Sequence, residues 1–304
     1  MIHFTIRQLR YFEALAEFGH FGRAAQACSI SQPALSMQIK ELEESLGIAL
    51  FERQARQVQL TGFGHEFALR VSTILRSVDD LADLARASRE KLVGRLRIGI
   101  IPTVAPYLLP LIIRSLAREY PDLDVQVRET VTPNLIQGLN DGRLDLAIAA
   151  LPVSESSLTE VELIEEEFML VRPRHDANEP IPDRKALREM RLLLLEEGHC
   201  FRDQALSFCN FQSGKPREML EGSSLSTLVQ MVGSGLGVTL IPEMAVDVDA
   251  RSAPVSVTRF PEPQPTRRIG MVWRKSSPLE KQLVDVSEVV RNAANLLRER
   301  RAVV

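Results

Sequence analysis

At 304 residues, with a net charge of -3, 45% hydrophobic and 5% aromatic residues, the chain has an ordinary globular composition and length enough for two or three cored domains. No run of about 18 apolar residues occurs, which leaves no place for a membrane-spanning helix. Met1-Ile2-His3-Phe4-Thr5-Ile6-Arg7 lacks a basic segment followed by an apolar core, so a cytoplasmic setting without membrane contact is expected. There, thiols stay reduced, and a disulfide is transient and sensory rather than structural.

Ile6, Leu9, Phe12 and Leu15 fall on one face of a helix over 6–18, with Gly19 as its stop. Phe21 to Cys28 reads as a second, alanine-rich helix with Cys28 in its core. Ser31 caps a third, with Pro33 in its first turn. In that helix Leu35, Ile39, Leu42 and Leu46 form the buried stripe, while Gln32, Pro33, Ser36, Met37 and Lys40 share the other side. A buried stripe opposite small polar groups and one cation is the shape of a recognition helix entering a major groove, although a ligand-free helical hairpin shares it. Residues 1–60 hold six Arg or Lys and six Asp or Glu, so distribution must supply what net charge does not. Arg23, Lys40, Arg53 and Arg56 are expected to face phosphate, with Glu41, Glu43 and Glu44 pointing away; Gln32 and Ser36 are the expected base contacts. Phe51-Glu52-Arg53 and Val58-Gln59-Leu60 flank Gln54-Ala55-Arg56-Gln57 as a small hairpin, the wing of a winged helix-turn-helix. The string Ala24-Ala25 through Ser31-Gln32-Pro33-Ala34-Leu35-Ser36, then Leu42-Glu43, Leu46-Gly47 and Leu50-Phe51-Glu52-Arg53, resembles the DNA-binding domain of LysR-type regulators.

After Gly64 no Gly or Pro appears until past Leu92, and Phe67, Val71, Ile74, Val78, Leu81 and Ala85 recur at spacings of four and three. That is a heptad seam on a helix of roughly 40 Å, long enough to pair two chains; one helix packed on its own domain is the alternative. A hinge follows at Val93 and Gly94. Strands are expected at Leu96–Ile101, Leu123–Arg128, Leu144–Ala149, Phe168–Val171, Leu192–Leu195, Val238–Ile241 and Gly270–Trp273. Helices are expected at Tyr107–Arg118, Leu135–Asp141 and Pro278–Arg300. Strands alternating with helices make an open α/β sheet with a mainly parallel core.

Glu196 to Cys209 holds two of the three cysteines. Buried cysteines are commonly inert small hydrophobes, but His199 and Arg202 stand beside Cys200, and a nearby cation favours the attacking thiolate. A helix beginning near Cys200 would put the two sulfurs on opposite faces, ~13 Å apart along its axis. A bond between them would need Cα atoms within ~7 Å, so it would require the segment to refold.

Gly198-His199-Cys200-Phe201-Arg202-Asp203-Gln204-Ala205 followed by Phe208-Cys209 resembles the redox segment of the peroxide-sensing, OxyR branch of the LysR-type regulators. The resemblance covers essentially the whole chain. It implies that hydrogen peroxide oxidises Cys200 to a sulfenic acid that Cys209 then captures. It also implies a winged helix-turn-helix at 1–61, a dimerisation helix at 62–92 and a redox-sensing α/β domain at 95–304, similar to periplasmic binding proteins. In that domain the chain crosses between two subdomains near 165 and 267, giving about 95–165 with 268–304, and about 166–267.

Ligands of open α/β sheets collect beyond the strands' carboxyl ends, where Thr103 follows the first strand of this region; a helix cap is its simpler reading. The Ile101-Pro102-Thr103-Val104 string and Thr132 also resemble the peroxide pocket of that branch, which implicates His199, Arg202, Asp203 and an arginine of the last crossing, Arg267 or Arg268. The resemblance further implies double-stranded operator DNA, contact with RNA polymerase in activating antioxidant genes, and a homotetramer built as a dimer of dimers. No cofactor is expected. A metal at His199, Cys200 and Cys209 would lack a fourth ligand and the usual paired cysteine spacing. A regulator that binds a metabolite between the subdomains would dispense with the cysteines, and a thiol peroxidase would turn peroxide over.

Overall fold

The computed structural model describes residues 4–53, 58–89, 91–208 and 219–302. The chain divides into two compact units, Met1–Ala85 and Arg86–Val304.

In the first unit, α1 (Ile6–Phe18) starts with a reciprocal capping box between Thr5 and Gln8 and ends at Gly19, whose φ of 56° suits a residue without Cβ. α2 (Phe21–Ala27) and α3 (Gln32–Leu46) follow, then the antiparallel pair β1 (Phe51–Arg53) and β2 (Val58–Leu60), then α4 (Gly62–Ala87). Leu9, Phe12, Leu15, Leu35, Ile39 and Leu42 meet Leu50, Val71 and Leu75 in one core. Each such side chain contributes roughly 1.5–3 kcal/mol on burial. Gly64 lets α4 approach the wing: a Cβ there would lie 2.2 Å from the Leu50 carbonyl oxygen.

Three expectations are corrected here. Ile6 stands in the first turn of α1, short of the core, and is 50% exposed. The long helix stops at Ala87 rather than near Leu92, where the Arg86 side chain turns to donate to the carbonyls of Val93 and Arg95. The apolar positions of α4 serve two faces: Val71 is buried within its own unit, whereas Ile74 and Leu81 are 44% and 68% exposed.

The second unit runs β3 (Gly94–Ile100), α5 (Ala105–Glu119), β4 (Leu123–Glu129), α6 (Thr132–Asn140), β5 (Leu146–Leu151), β6 (Leu158–Pro173), α7 (Arg184–Glu189) and β7 (Leu192–Leu195). It continues through α8 (Cys200–Phe208), β8 (Met219–Gly222), α9 (Leu225–Gly233), β9 (Val238–Pro242), β10 (Val255–Arg259), β11 (Thr266–Arg274) and α10 (Glu280–Ala302). The sheet order is β4-β3-β5-β11-β6-β9-β7-β8, with β10 on β6. β3 is parallel to β4 and β5, and β7 is parallel to β8 and β9, so two parallel βα halves share one sheet. The antiparallel strands β6 and β11 join them: β6 pairs with β11 through Glu167 and with β9 from Phe168 onward. β8, β10, α7 and α9 were not expected from the sequence, and β6 begins ten residues before the strand expected at Phe168. Among the described residues, no helix is long and apolar enough to cross a membrane.

Candidate functional site

In the first unit Ser31 caps α3, its hydroxyl accepting from Ala34 N at 3.4 Å. Gln32, Pro33 and Lys40 are exposed and Ser36 is half-buried, opposite the buried Leu35, Ile39 and Leu42. Arg23 is exposed and its Nη2 donates to the Phe18 carbonyl at 2.7 Å. Glu43 does point away from this face, and its Oε1 accepts from Leu50 N at 2.8 Å and Phe51 N at 3.1 Å, tying α3 to the wing. Glu44 does not: it stands one turn from Lys40 and pairs with it at 3.4 Å, because residues four apart share a helix face. Arg53 ends β1, and Arg56 lies outside the described residues.

In the second unit Cys200 is a free, half-buried thiol at the first residue of α8, packed against the core. Gly198, at φ +93°, brings the preceding loop against Val131, with 3.6 Å from its Cβ position to Cγ2. That sets the loop beside the start of α6 and therefore beside Thr132. Among the described residues the buried Thr132 Oγ1 has no hydrogen-bond partner, and neither has Oε1 of Gln204, four residues after Cys200 and on the same face of α8. Sequence reasoning passed over Gln204; its i, i+4 spacing from the cysteine was the available signal.

Thr103 and Arg267 are each 2% exposed. Arg267 Nη1 donates to Thr103 Oγ1 at 2.9 Å and Nη2 to its carbonyl at 3.0 Å. Behind them Glu166 accepts from Arg267 Nε at 2.8 Å, and its other oxygen accepts from Met244 N at 3.0 Å. The Arg267 guanidinium lies 5.1 Å from the ring centroid of Phe201, the residue after Cys200, and Phe201 in turn packs on Phe168 at 4.9 Å. β11 alternates its side chains, so Arg268 is exposed and pairs with Glu162 at 3.4 Å; of the two arginines, Arg267 faces inward.

Two neighbours of Cys200 differ from expectation. Burial holds the His199 imidazole below the usual histidine range, with Glu196 opposing, so it is a neutral donor and acceptor rather than a cation at neutral pH. Arg202 is 7% exposed and its Nη1 donates to the Leu195 carbonyl and Glu221 Oε1, both at 2.8 Å, so its charge is shared with a carboxylate. Asp203 is exposed on α8, and Cys209 lies outside the described residues. Nearby, the buried Tyr107 donates to Asp249 at 2.5 Å, and Ser226 donates to the same carboxylate. Burial first, then the bond to Asp249, pushes the phenol far up, so it remains a donor.

The family description "Bacterial regulatory helix-turn-helix protein, lysR family" matches residues 6–65 and "LysR substrate binding domain" matches residues 89–295. The DNA-binding transcriptional dual regulator OxyR of Escherichia coli K12 is 40% identical over 290 residues, covering 94% of this chain and 95% of that protein. A full-length OxyR variant from Pseudomonas aeruginosa aligns with a TM-score of 0.75 at 36% identity over 95% of each chain. A hydrogen peroxide-bound OxyR mutant from Corynebacterium glutamicum aligns with a TM-score of 0.66 at 33% identity over 98% of this chain and 95% of that one. Matched in both units and along almost its whole length, the chain belongs to the LysR family of bacterial transcriptional regulators, within its OxyR branch.

Proposed function

We propose that this regulator senses hydrogen peroxide in the cytoplasm through a reversible Cys200–Cys209 disulfide and controls antioxidant genes from operator DNA. The observation that carries the reading is a free, half-buried thiol at the start of α8, with the buried Gln204 Oε1 one helical turn on and the buried Thr132 Oγ1 next to Val131, which the Gly198 loop approaches. A peroxide molecule carries two donors and two acceptor oxygens, which suits one hydroxyl and one carbonyl lacking partners. Thr103 adds a third group: its oxygen accepts from Arg267, which leaves its O–H to donate. The Cys200 thiolate attacks one peroxide oxygen, the S–O bond forms as the O–O bond breaks, and the departing hydroxide takes up a proton and leaves as water. The Cys209 thiol then condenses with the sulfenic acid, releasing a second water, and an external dithiol restores both thiols.

Titrating the reduced protein with stoichiometric peroxide, followed by peptide mass spectrometry without reductant, tests this. A Cys200–Cys209 link at near-equimolar dose, absent in Cys200→Ser, is the expected result. Two free thiols at that dose would reject the switch.

On the DNA side, Gln32 and Ser36 read bases while Arg23, Lys40, Arg53 and Arg56 contact phosphate. The exposed Ile74 and Leu81 of α4 form the seam on which two chains pair, and two such dimers make the working tetramer, which contacts RNA polymerase. Leu81→Asp should lower the assembly size in analytical ultracentrifugation and weaken operator binding at least about tenfold, since one head alone holds half the contacts. An unchanged sedimentation coefficient would move the dimer contact off this helix.

A further inference from the structure

α3 turns a large apolar side chain to solvent. Met37 is 55% exposed, while Leu35, Ile39 and Leu42 of the same helix are fully buried and Leu46 packs on the same core. At ~100° per residue these four stand roughly 140–200° around the axis from Met37, so Met37 marks the middle of the face turned away from the core. Pro33 stands one turn before it and Lys40 one turn after, both exposed. The carboxylates of α3 begin beyond Met37. Glu41 accepts from Gln38 Nε2 at 2.7 Å, Glu43 holds the wing, and Glu44 pairs with Lys40. DNA phosphate therefore repels the C-terminal half of α3 and admits the half that ends at Met37, and a recognition helix brings its N-terminal residues to the base edges in this way.

Exposed apolar side chains scattered singly are ordinary on a protein surface. Met37 differs in its place, among Gln32, Ser36 and Lys40 on a helix of the matched helix-turn-helix domain. The major groove offers donors, acceptors and one apolar feature, the thymine 5-methyl group. A methionine thioether has no donor and only a weak acceptor, so apolar contact is what it brings to a base edge. Its unbranched stem adapts to the shape it meets. We propose, on the reading of α3 as the recognition helix, that Met37 is a specificity-determining residue that packs on the methyl group of a thymine in each half-site, beside the bases read by Gln32 and Ser36. Burial of the exposed thioether against that methyl favours an A·T pair at one position without any hydrogen bond to it.

Selection of binding duplexes from a randomised pool by the reduced full-length protein, repeated with Met37→Ala and with Gln32→Ala, tests the assignment. Both side chains are exposed and outside the core, so their replacement leaves the fold intact. Met37→Ala should lose preference at one A·T position of the half-site and keep the others, while Gln32→Ala relaxes a different position. Deoxyuridine in place of the thymine of that pair removes the methyl group and nothing else. In fluorescence anisotropy it should weaken the wild type about fourfold per half-site and Met37→Ala by less than about twofold. Equal weakening of both proteins, or lost preference at a G·C position, would overturn the proposal. Unchanged preference in Met37→Ala beside a relaxed one in Gln32→Ala would overturn it and leave α3 as the reader; no change in either variant would overturn both.

Discussion

Replacing Glu166 with alanine lowers the stability of the regulatory unit by about 3–5 kcal/mol, the cost of leaving one member of a buried ion pair uncompensated. Glu166 is 5% and Arg267 2% exposed, and they meet at 2.7 Å. The same carboxylate also holds Met244 N, so its loss orphans a buried amide as well as a buried guanidinium. Glu166→Gln keeps the shape and the Met244 acceptor, so it should cost less. The double substitution Glu166→Leu with Arg267→Met should also cost less than Glu166→Ala alone, because exchanging a whole buried pair for apolar side chains removes the desolvation penalty along with the attraction. Urea unfolding followed by tryptophan fluorescence reads this unit by itself, since the chain's one tryptophan, Trp273, is fully buried in β11. A loss under about 1 kcal/mol for Glu166→Ala would mean that water replaces the carboxylate, and that the pair is not the hold of Arg267 on Thr103.

Glu166 also marks where sequence reading stops. The run Glu165-Glu166-Glu167 looks like a charged surface, yet in β6 its members alternate: Glu165 accepts from Thr266 and Glu167 from Arg259, while Glu166 alone turns inward. Which of three identical side chains faces the core depends on the register of β6 against β11, a pairing across 101 residues that no local pattern carries. The bond from Arg267 to Thr103 spans 164 residues and that from Tyr107 to Asp249 spans 142, so neither leaves a periodic trace. Periodicity did place α1 and α3, because amphipathic helices repeat their burial every three or four residues. It failed for the short edge strands β8 and β10, where four or five residues give too few alternations to read. On α4 it marked the apolar positions but not their partners: Val71 serves the chain's own core, and Ile74 and Leu81 do not. The start of α8 at Cys200 was legible from an uninterrupted run of helix-compatible residues, whereas the neutral state of His199 and the tethering of Arg202 depend on burial.

The tether makes the second large effect. Arg202 ties α8 to the end of β7 through the Leu195 carbonyl and to β8 through Glu221. Were Cys209 to continue α8, the two sulfurs would stand on opposite faces, so the proposed Cys200–Cys209 bond would require α8 to be remade and the tether to be given up. Arg202→Met then destabilises the reduced form by about 2–3 kcal/mol, the scale of hydrogen bonds to a charged group, and leaves the disulfide form unchanged. Destabilising the dithiol makes reduction less favourable, so the potential of the couple moves negative. At 30 mV per 1.4 kcal/mol for two electrons, the expected shift is about 40–65 mV, measured by equilibration against a dithiothreitol redox buffer and quantified by thiol alkylation. The variant should also lose protection of the α8 amides in hydrogen exchange before any peroxide is added. A potential within about 10 mV of the wild type, with α8 protection still lost, would show that the tether survives in the disulfide form. The refolding would then begin beyond Arg202, and the stored difference between the two states would lie elsewhere in the 196–209 segment.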